Sequence, residues 1–345
     1  MNIRMQDIAE MAGVSRWTVS AVLYGKEGVR VSERTREKIL SLVRENDFVA
    51  NEVSRQLRGA SARFVGLLTA PARSGLSAAL DSALTLELQS CGYVTLTANS
   101  LESDSAVERQ LREFLAYRAQ CVVVRQSNES LEKYVKSQLP LIYCSADNSH
   151  GFDVGSDTAS GSYQAASYLL EHGYKRLLYL AWDTPHRFDE YKISGMRRAL
   201  EEHGLEPGAL GVMSYLPEHE TLSSLVPELL KRCDALVCCN DYLAAPLMTA
   251  LSQAGVKVPE DIGVVGFDGY AFCDFLPVPL ATVIHPVKLI AQKTVELMRG
   301  RLERKEGPQG LANIKIPPVF RPAASCGCLK NGHRKTHMES ILIEI

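Results

Sequence analysis

Two places in the chain put short polar side chains just after apolar runs. Asn240-Asp241 follows Ala235–Cys238, and Asp268 follows Gly263–Phe267 in the segment Gly266-Phe267-Asp268. An amide or carboxylate at the carboxyl end of a strand can grip ligand hydroxyls through paired hydrogen bonds. Open α/β sheets bind their ligands at that edge. Turn or helix-cap duty is the competing use, and Asp241 is expected to cap the helix that starts at Tyr242. Ligand binding then falls to Asn240 and Asp268. Arg125 follows Cys121–Val124, Ser145 follows Leu141–Cys144, and Tyr215 offers a ring that can stack on a sugar face.

A different chemistry is placed near the amino terminus. Arg16 can bond a guanine edge or a phosphate, and Trp17 offers one N–H and an apolar plate. Both open a short helix expected over Arg16–Leu23, capped by Ser15. A preceding helix, Met5–Ala12, ends at Gly13, and Val14 plugs the turn. Apolar, small, glycine, apolar, cap and second helix at this spacing form a helix-turn-helix pattern, whose second helix enters the major groove. A third helix starts at Val31-Ser32-Glu33, with Ile39, Leu42 and Val43 as its core stripe.

No arrangement for catalysis emerges. The histidines are scattered, and there is no nucleophile elbow, phosphate-cradling glycine loop or H-E-x-x-H. The chain is therefore not expected to be an enzyme, and no cofactor is expected. Cys326, Cys328, His333 and His337 could supply two thiols and two imidazoles. Their C-x-C spacing is tighter than zinc sites use, so they are a weak metal candidate only. The other cysteines on apolar strands, such as Cys121, Cys144, Cys238 and Cys239, read as buried hydrophobes in a reducing compartment.

The elements that position these groups follow from the pattern of the chain. At 345 residues it suits two or three domains. The net charge is −2, without a global basic signature. Residues 1–59 hold ten Lys/Arg against eight Asp/Glu, a mild positive excess where DNA binding is expected. No apolar signal run or membrane span is found, which points to the cytoplasm. From Arg63 onward short apolar runs alternate with amphipathic helices, twice over. Strands are expected at Phe64–Thr69, Tyr93–Thr97, Cys121–Val124 and Leu141–Cys144, then at Arg176–Ala181, Gly211–Ser214, Ala235–Cys238 and Gly263–Phe267. The helices between them include one at Leu131–Gln138. Such alternation predicts parallel sheets with right-handed crossovers. It does not by itself separate two lobes from one large sheet.

The head motif resembles the LacI/GalR family of bacterial transcription regulators. The matching residues are Asp7-Ile8-Ala9, Ala12-Gly13-Val14-Ser15, Thr18-Val19-Ser20, Val22-Leu23 and Val31-Ser32-Glu33-Arg34-Thr35-Arg36-Glu37-Lys38. The resemblance implies a class of α/β protein: an all-α helix-turn-helix head (1–50), a hinge helix (51–60) and a two-lobed core (61–325) with doubly wound parallel sheets of the periplasmic-binding-protein (type I) kind. The first lobe would hold 61–158 and 287–325, the second 159–286, and 326–345 would be a tail. The chain would cross between lobes near Ser156–Gly161, near His285 and near the carboxyl terminus.

The same resemblance assigns partners and sites. The partners are operator DNA, a second copy of the chain and a small effector, most simply a sugar, with no membrane. A repressor is the default function, and a cytoplasmic sugar sensor without operator binding is the alternative. DNA contacts are expected from Ser15, Arg16, Trp17, Thr18, Ser20, Ala21 and Tyr24, and from Asn51, Ser54 and Leu57 in the hinge, where Leu57 matches the family's apolar wedge. Arg4 replaces the usual threonine cap of the first helix. Effector contacts are expected from Arg125, Ser145, Lys192, Tyr215, Asn240, Asp268 and His285. Lys192 stands where most members have arginine, before Gly195. Arg125 beside Lys192 would suit an anionic group such as a phosphate or uronate.

Overall fold

The structure is a computed structural model and describes residues 3–24, 30–49, 63–69, 75–99, 103–125, 139–146, 151–182, 187–304 and 311–327. The chain divides into two compact units, Met1–Ala62 and Arg63–Ile345. The hinge residues Asn51, Ser54 and Leu57, the expected helix Leu131–Gln138, and Cys328, His333 and His337 all lie outside the described residues.

The first unit contains helices α1 (Met5–Ala12), α2 (Arg16–Tyr24) and α3 (Glu33–Glu45). Ile8, Val19 and Ile39, one from each helix, are fully buried and meet with Met5, Ala9, Ala12 and Val22. Gly13 ends α1 with φ 71°, a conformation that a side chain would resist. Arg4 does not leave α1 uncapped. The Asp7 carboxylate reaches back to accept from the Arg4 backbone N–H at 2.8 Å. Ser15 Oγ accepts from Thr18 N–H at 3.1 Å, and Ser32 Oγ from Thr35 N–H at 3.2 Å, so α2 and α3 start on hydroxyl caps.

The second unit has two parallel sheets. Strands β1 (Phe64–Thr69), β2 (Val94–Asn99), β3 (Cys121–Val124), β4 (Leu141–Ser145), β5 (Val154–Ser156) and β11 (Ile314–Ile316) form the first, in the order β11-β5-β4-β3-β1-β2. Strands β6 (Leu177–Trp182), β7 (Gly211–Tyr215), β8 (Ala235–Cys238) and β9 (Gly263–Val265) form the second, in the order β7-β6-β8-β9. Helix α4 (Gly75–Ser90) follows β1 and α5 (Asp104–Ala116) follows β2. Helices α6 (Thr158–Glu171), α7 (Arg187–Glu202), α8 (Leu222–Arg232) and α9 (Asp241–Gln253) belong with the second sheet, and α10 (Val287–Arg304) returns to the first. Helix α4 illustrates the pattern. Leu80, Leu84 and Leu88 recur every four residues and are fully buried, each contributing about 2 kcal/mol of apolar burial.

Among the described residues the chain passes between the two cores three times. It crosses after β5, again at His285-Pro286 between β10 (Thr282–Ile284) and α10, and last between β11 and β12 (Val319–Arg321). A last crossing near the carboxyl terminus is expected from the sequence, but it falls inside 287–325, the stretch assigned to the first lobe. Strand β12 pairs with β10, Gln164 on α6 donates to Pro318 O at 2.9 Å and accepts from Phe320 N–H at 3.2 Å, and Cys326 is buried in the second core. Strand β9 is also shorter than expected. Beyond Val265 the backbone turns to β10, with Gly266 N–H donating to Ala281 O at 2.8 Å and Asp268 N–H to Val283 O at 2.9 Å.

Candidate effector cleft and DNA-reading face

In each sheet of the core the strand order reverses once: between β1 and β3 in the first, and between β6 and β8 in the second. Such a reversal opens a crevice at the carboxyl edge. Trp182 ends β6 and Asn240 follows β8, so both stand at the reversal of the second sheet, and Arg125 stands after β3 at that of the first. The Trp182 indole N–H donates to Asn240 Oδ1 at 3.2 Å. Trp182 is also the register partner of Tyr215 on β7, and the two rings lie 5.6 Å apart. Trp182 was not singled out from the sequence. Its signal was its place as the last residue of an apolar strand.

The cap expected of Asp241 falls to Asn240 instead. Asn240 is the N-cap of α9, its Oδ1 accepting from Leu243 N–H at 2.9 Å. Its backbone has the extended conformation that a cap requires, while Asp241 is already the first helical residue. The cap and the Trp182 contact use only Oδ1 of the Asn240 side chain. Asp241 is fully buried and fastens the following loop. Its Oδ2 accepts from Gly269 N–H and Tyr270 N–H, both at 2.9 Å, and its Oδ1 from the Thr282 hydroxyl at 2.7 Å. Burial raises its carboxyl to about 6, against the lowering effect of these bonds.

That loop sets Asp268, which has φ 105°, a strained conformation for a residue with a side chain. Its carboxylate Oδ1 lies 3.5 Å from His285 Nε2, while His285 Nδ1 shares a 2.7 Å hydrogen bond with Ser156 Oγ. Ser156 ends β5 in the first sheet, so His285 links the two lobes at a crossing point. His285 Nε2 is buried with no hydrogen-bond partner among the described residues. Ser145, at the end of β4, is buried as well.

Lys192 is buried on α7. Its Nζ donates to Cys239 O at 2.7 Å and stands 4.1 Å from the centre of the Phe267 ring. The position depends on Gly195, where a Cβ would come within 2.0 Å of Ala159 O. The absence of that Cβ lets α7 lie against α6, and Ser162 Oγ donates to Lys192 O at 2.7 Å. Arg125 is buried, and its Nη1 donates to Asp81 Oδ1 on α4 at 2.7 Å, while its Nε is buried without a hydrogen-bond partner among the described residues. Burial raises the Asp81 carboxyl in spite of the arginine. The second lobe adds Asp189, whose carboxylate accepts from the buried Tyr179 hydroxyl. The charges of Lys192, Asp189 and Asp268 all act on the Cys239 thiol, so two carboxylates share the neighbourhood of Cys239 with the ammonium.

In the head, Ser15, Arg16 and Trp17 are exposed, Trp17 to 56%. Thr18 and Ser20 are half-buried, and the Thr18 hydroxyl bonds Ser15 Oγ at 2.8 Å. Ala21 departs from the expectation. It is only 4% exposed, and Trp17 and Tyr24 lie four residues before it and three after it, on the same side of the helix. Tyr24 packs on the head core. The exposed side chains at the start of α2 are thus those of Ser15, Arg16 and Trp17. Among the described residues no group of three or more metal-ligating side chains occurs, and no helix is long and apolar enough to cross a membrane. Cys326, from the weak metal set, is a core thiol donating to Ala323 O.

Comparison with known proteins gives the frame for these two sites. Residues 4–51 match the profile of bacterial regulatory proteins of the lacI family, and residues 166–323 match that of a periplasmic binding protein-like domain. The chain belongs to the LacI family. Curated relatives include the HTH-type transcriptional repressor PurR of Vibrio parahaemolyticus, 25% identical over 92% of this chain and 97% of that one, and PurR of Haemophilus influenzae, 26% identical over 91% and 96%. A lac repressor dimer bound to operator and the anti-inducer ONPF shares the fold, with a TM-score of 0.77 at 19% identity over 94% of this chain and 99% of that one. A CelR–cellobiose complex has a TM-score of 0.63 at 20% identity over 94% and 99%. This LacI-family chain is accordingly a DNA-binding transcription regulator with a ligand-binding type of core.

Proposed function

We propose that the protein is a homodimeric repressor whose affinity for a near-palindromic operator is set by a small uncharged ligand in the cleft. Arg16 and Trp17 read the major groove, and the hinge residues Asn51, Ser54 and Leu57 contact the operator between the heads. The observation that carries the ligand class is that both cations are engaged within the protein. The Lys192 ammonium is held by Cys239 O and the Phe267 face, and Arg125 donates to Asp81. The anionic ligand expected from the sequence loses its support. What remains for a ligand is the Asn240 amide, the Asp268 carboxylate and the rings of Trp182 and Tyr215: donors, an acceptor and apolar faces.

That set suits a neutral sugar, as in the cellobiose complex above and in a LacI-family regulator from Enterococcus faecium with bound ribose, 22% identical. A nucleobase is the second reading, favoured by the similarity to PurR along nearly the whole chain. Thermal shift followed by calorimetry, with glucose, ribose, cellobiose, guanine and hypoxanthine beside glucose 6-phosphate and glucuronate, separates these readings. A ligand that binds only the folded state raises the melting temperature. Tighter binding of an acidic sugar than of its neutral parent contradicts the proposed class.

A further inference from the structure

Tyr270 belongs to the second lobe by sequence, yet its side chain is seated in the first. Its backbone N–H is fastened to Asp241 Oδ2 at 2.9 Å, in the loop after β9. Its hydroxyl oxygen accepts from the backbone N–H of Leu76 at 3.0 Å, in the first turn of α4. Its ring occupies the space beside Gly75, where a Cβ would come within 2.7 Å of Cε1. The ring packs against the hydrophobic cores of both lobes. On its own side it is braced by Tyr242, 4.7 Å away, and Phe272, 5.6 Å away.

The place of this contact matters. Helix α4 follows β1 and the Tyr270 loop follows β9, so the two partners stand at the facing carboxyl edges of the two sheets. The first N–H groups of a helix have no partner within it. Here one of them is satisfied by the opposite lobe rather than by a local cap. We infer that Tyr270 is a latch across the cleft, distinct from the three chain crossings, and that it holds the lobes at the angle seen. The latch is tied to the ligand groups through one carboxylate. Asp241 grips the Gly269 and Tyr270 backbone directly after Asp268, and it follows Asn240 in the chain. A ligand that draws on Asp268 or Asn240 therefore acts on the loop that carries the latch.

The test needs neither operator nor effector. Tyr270→Phe removes the acceptor, and Gly75→Ala closes the ring's seat from the other side. Hydrogen exchange and small-angle scattering are measured on the full chain. Loss of the hydrogen bond is expected to speed exchange at residues 75–80 about tenfold. The solution radius of gyration is expected to rise, while β3 and β8 stay as protected as in the parent protein. Unchanged exchange at 75–80 in both variants overturns the latch. So does acceleration spread evenly through β3 and β8, which would make Tyr270 a plain core residue. Either outcome leaves DNA binding and the ligand class untouched, because neither is measured.

Discussion

The carboxylate of Asp241 lies where a side chain on Gly266 would begin. A Cβ built on Gly266 comes within 2.0 Å of Asp241 Oδ1. The glycine is present for the neighbour's sake, because Asp241 holds the Asp268–Tyr270 loop and β10 together from that position. Gly266→Ala is expected to cost about 3 kcal/mol of stability, as overpacking displaces a buried hydrogen-bonded group. Urea denaturation measures it, and a change near zero would show that the carboxylate moves aside freely.

The same carboxylate carries a pH signature. Its folded value of about 6 lies above the ordinary 3.8, so the folded state holds this proton more tightly than the unfolded chain. Its contribution favours folding most at about pH 4 and below, and is lost as pH rises through about 6, a span worth about 3 kcal/mol at most. Asp241→Asn keeps the shape and removes the titration. Melting temperatures recorded from pH 4 to 7 should then lose one declining component in the variant. Identical slopes in both proteins would show that Asp241 is ionised across the whole range.

Arg125 and Asp81 form a second testable pair. Asp81→Ala leaves a buried guanidinium without its carboxylate and is expected to cost about 3 kcal/mol. The double change Arg125→Met with Asp81→Leu should cost less than that single change, because it removes both charges. If the double change is the worse, Arg125 serves something other than Asp81, and a ligand becomes the first candidate.

At the head, Arg16→Ala is expected to weaken operator binding by about 1–3 kcal/mol and to relax preference at one base pair in each half-site. Leu57→Ala should weaken binding and reduce bending without changing that preference. Selection from random duplex DNA checks the first, and circular-permutation gel shift the second. An unchanged selected site with Arg16→Ala would assign that residue to phosphate.

The division between what the residues disclosed and what they concealed has a physical basis. Glycine, cap and apolar period are local signals, so Gly13, Ser15 and Ser32, and strands β1–β4 and β6–β9, are legible, whereas the three-residue strands β5 and β11 are too short to show a pattern. Roles fixed by contacts distant in sequence are not legible. Asn240 and Asp241 are adjacent and similar, and only the backbone conformation of Asn240 decides which one caps α9. Arg125 looked available because Asp81 lies 44 residues away in sequence. Trp182 lay outside the expected strand, which stopped at Ala181, whereas β6 runs to Trp182. The passage of Val319–Cys326 into the second lobe depends on Gln164, on a helix more than 150 residues earlier.

The central claim, that cleft occupancy controls operator affinity, is tested most directly by fluorescence anisotropy. The duplex is the site selected by the full-length protein, and titrations are run with and without the ligand found by thermal shift. The account predicts one enriched, near-palindromic site and an operator Kd that changes about fivefold or more when the ligand is present. No enriched site, or one Kd in both titrations, would contradict it.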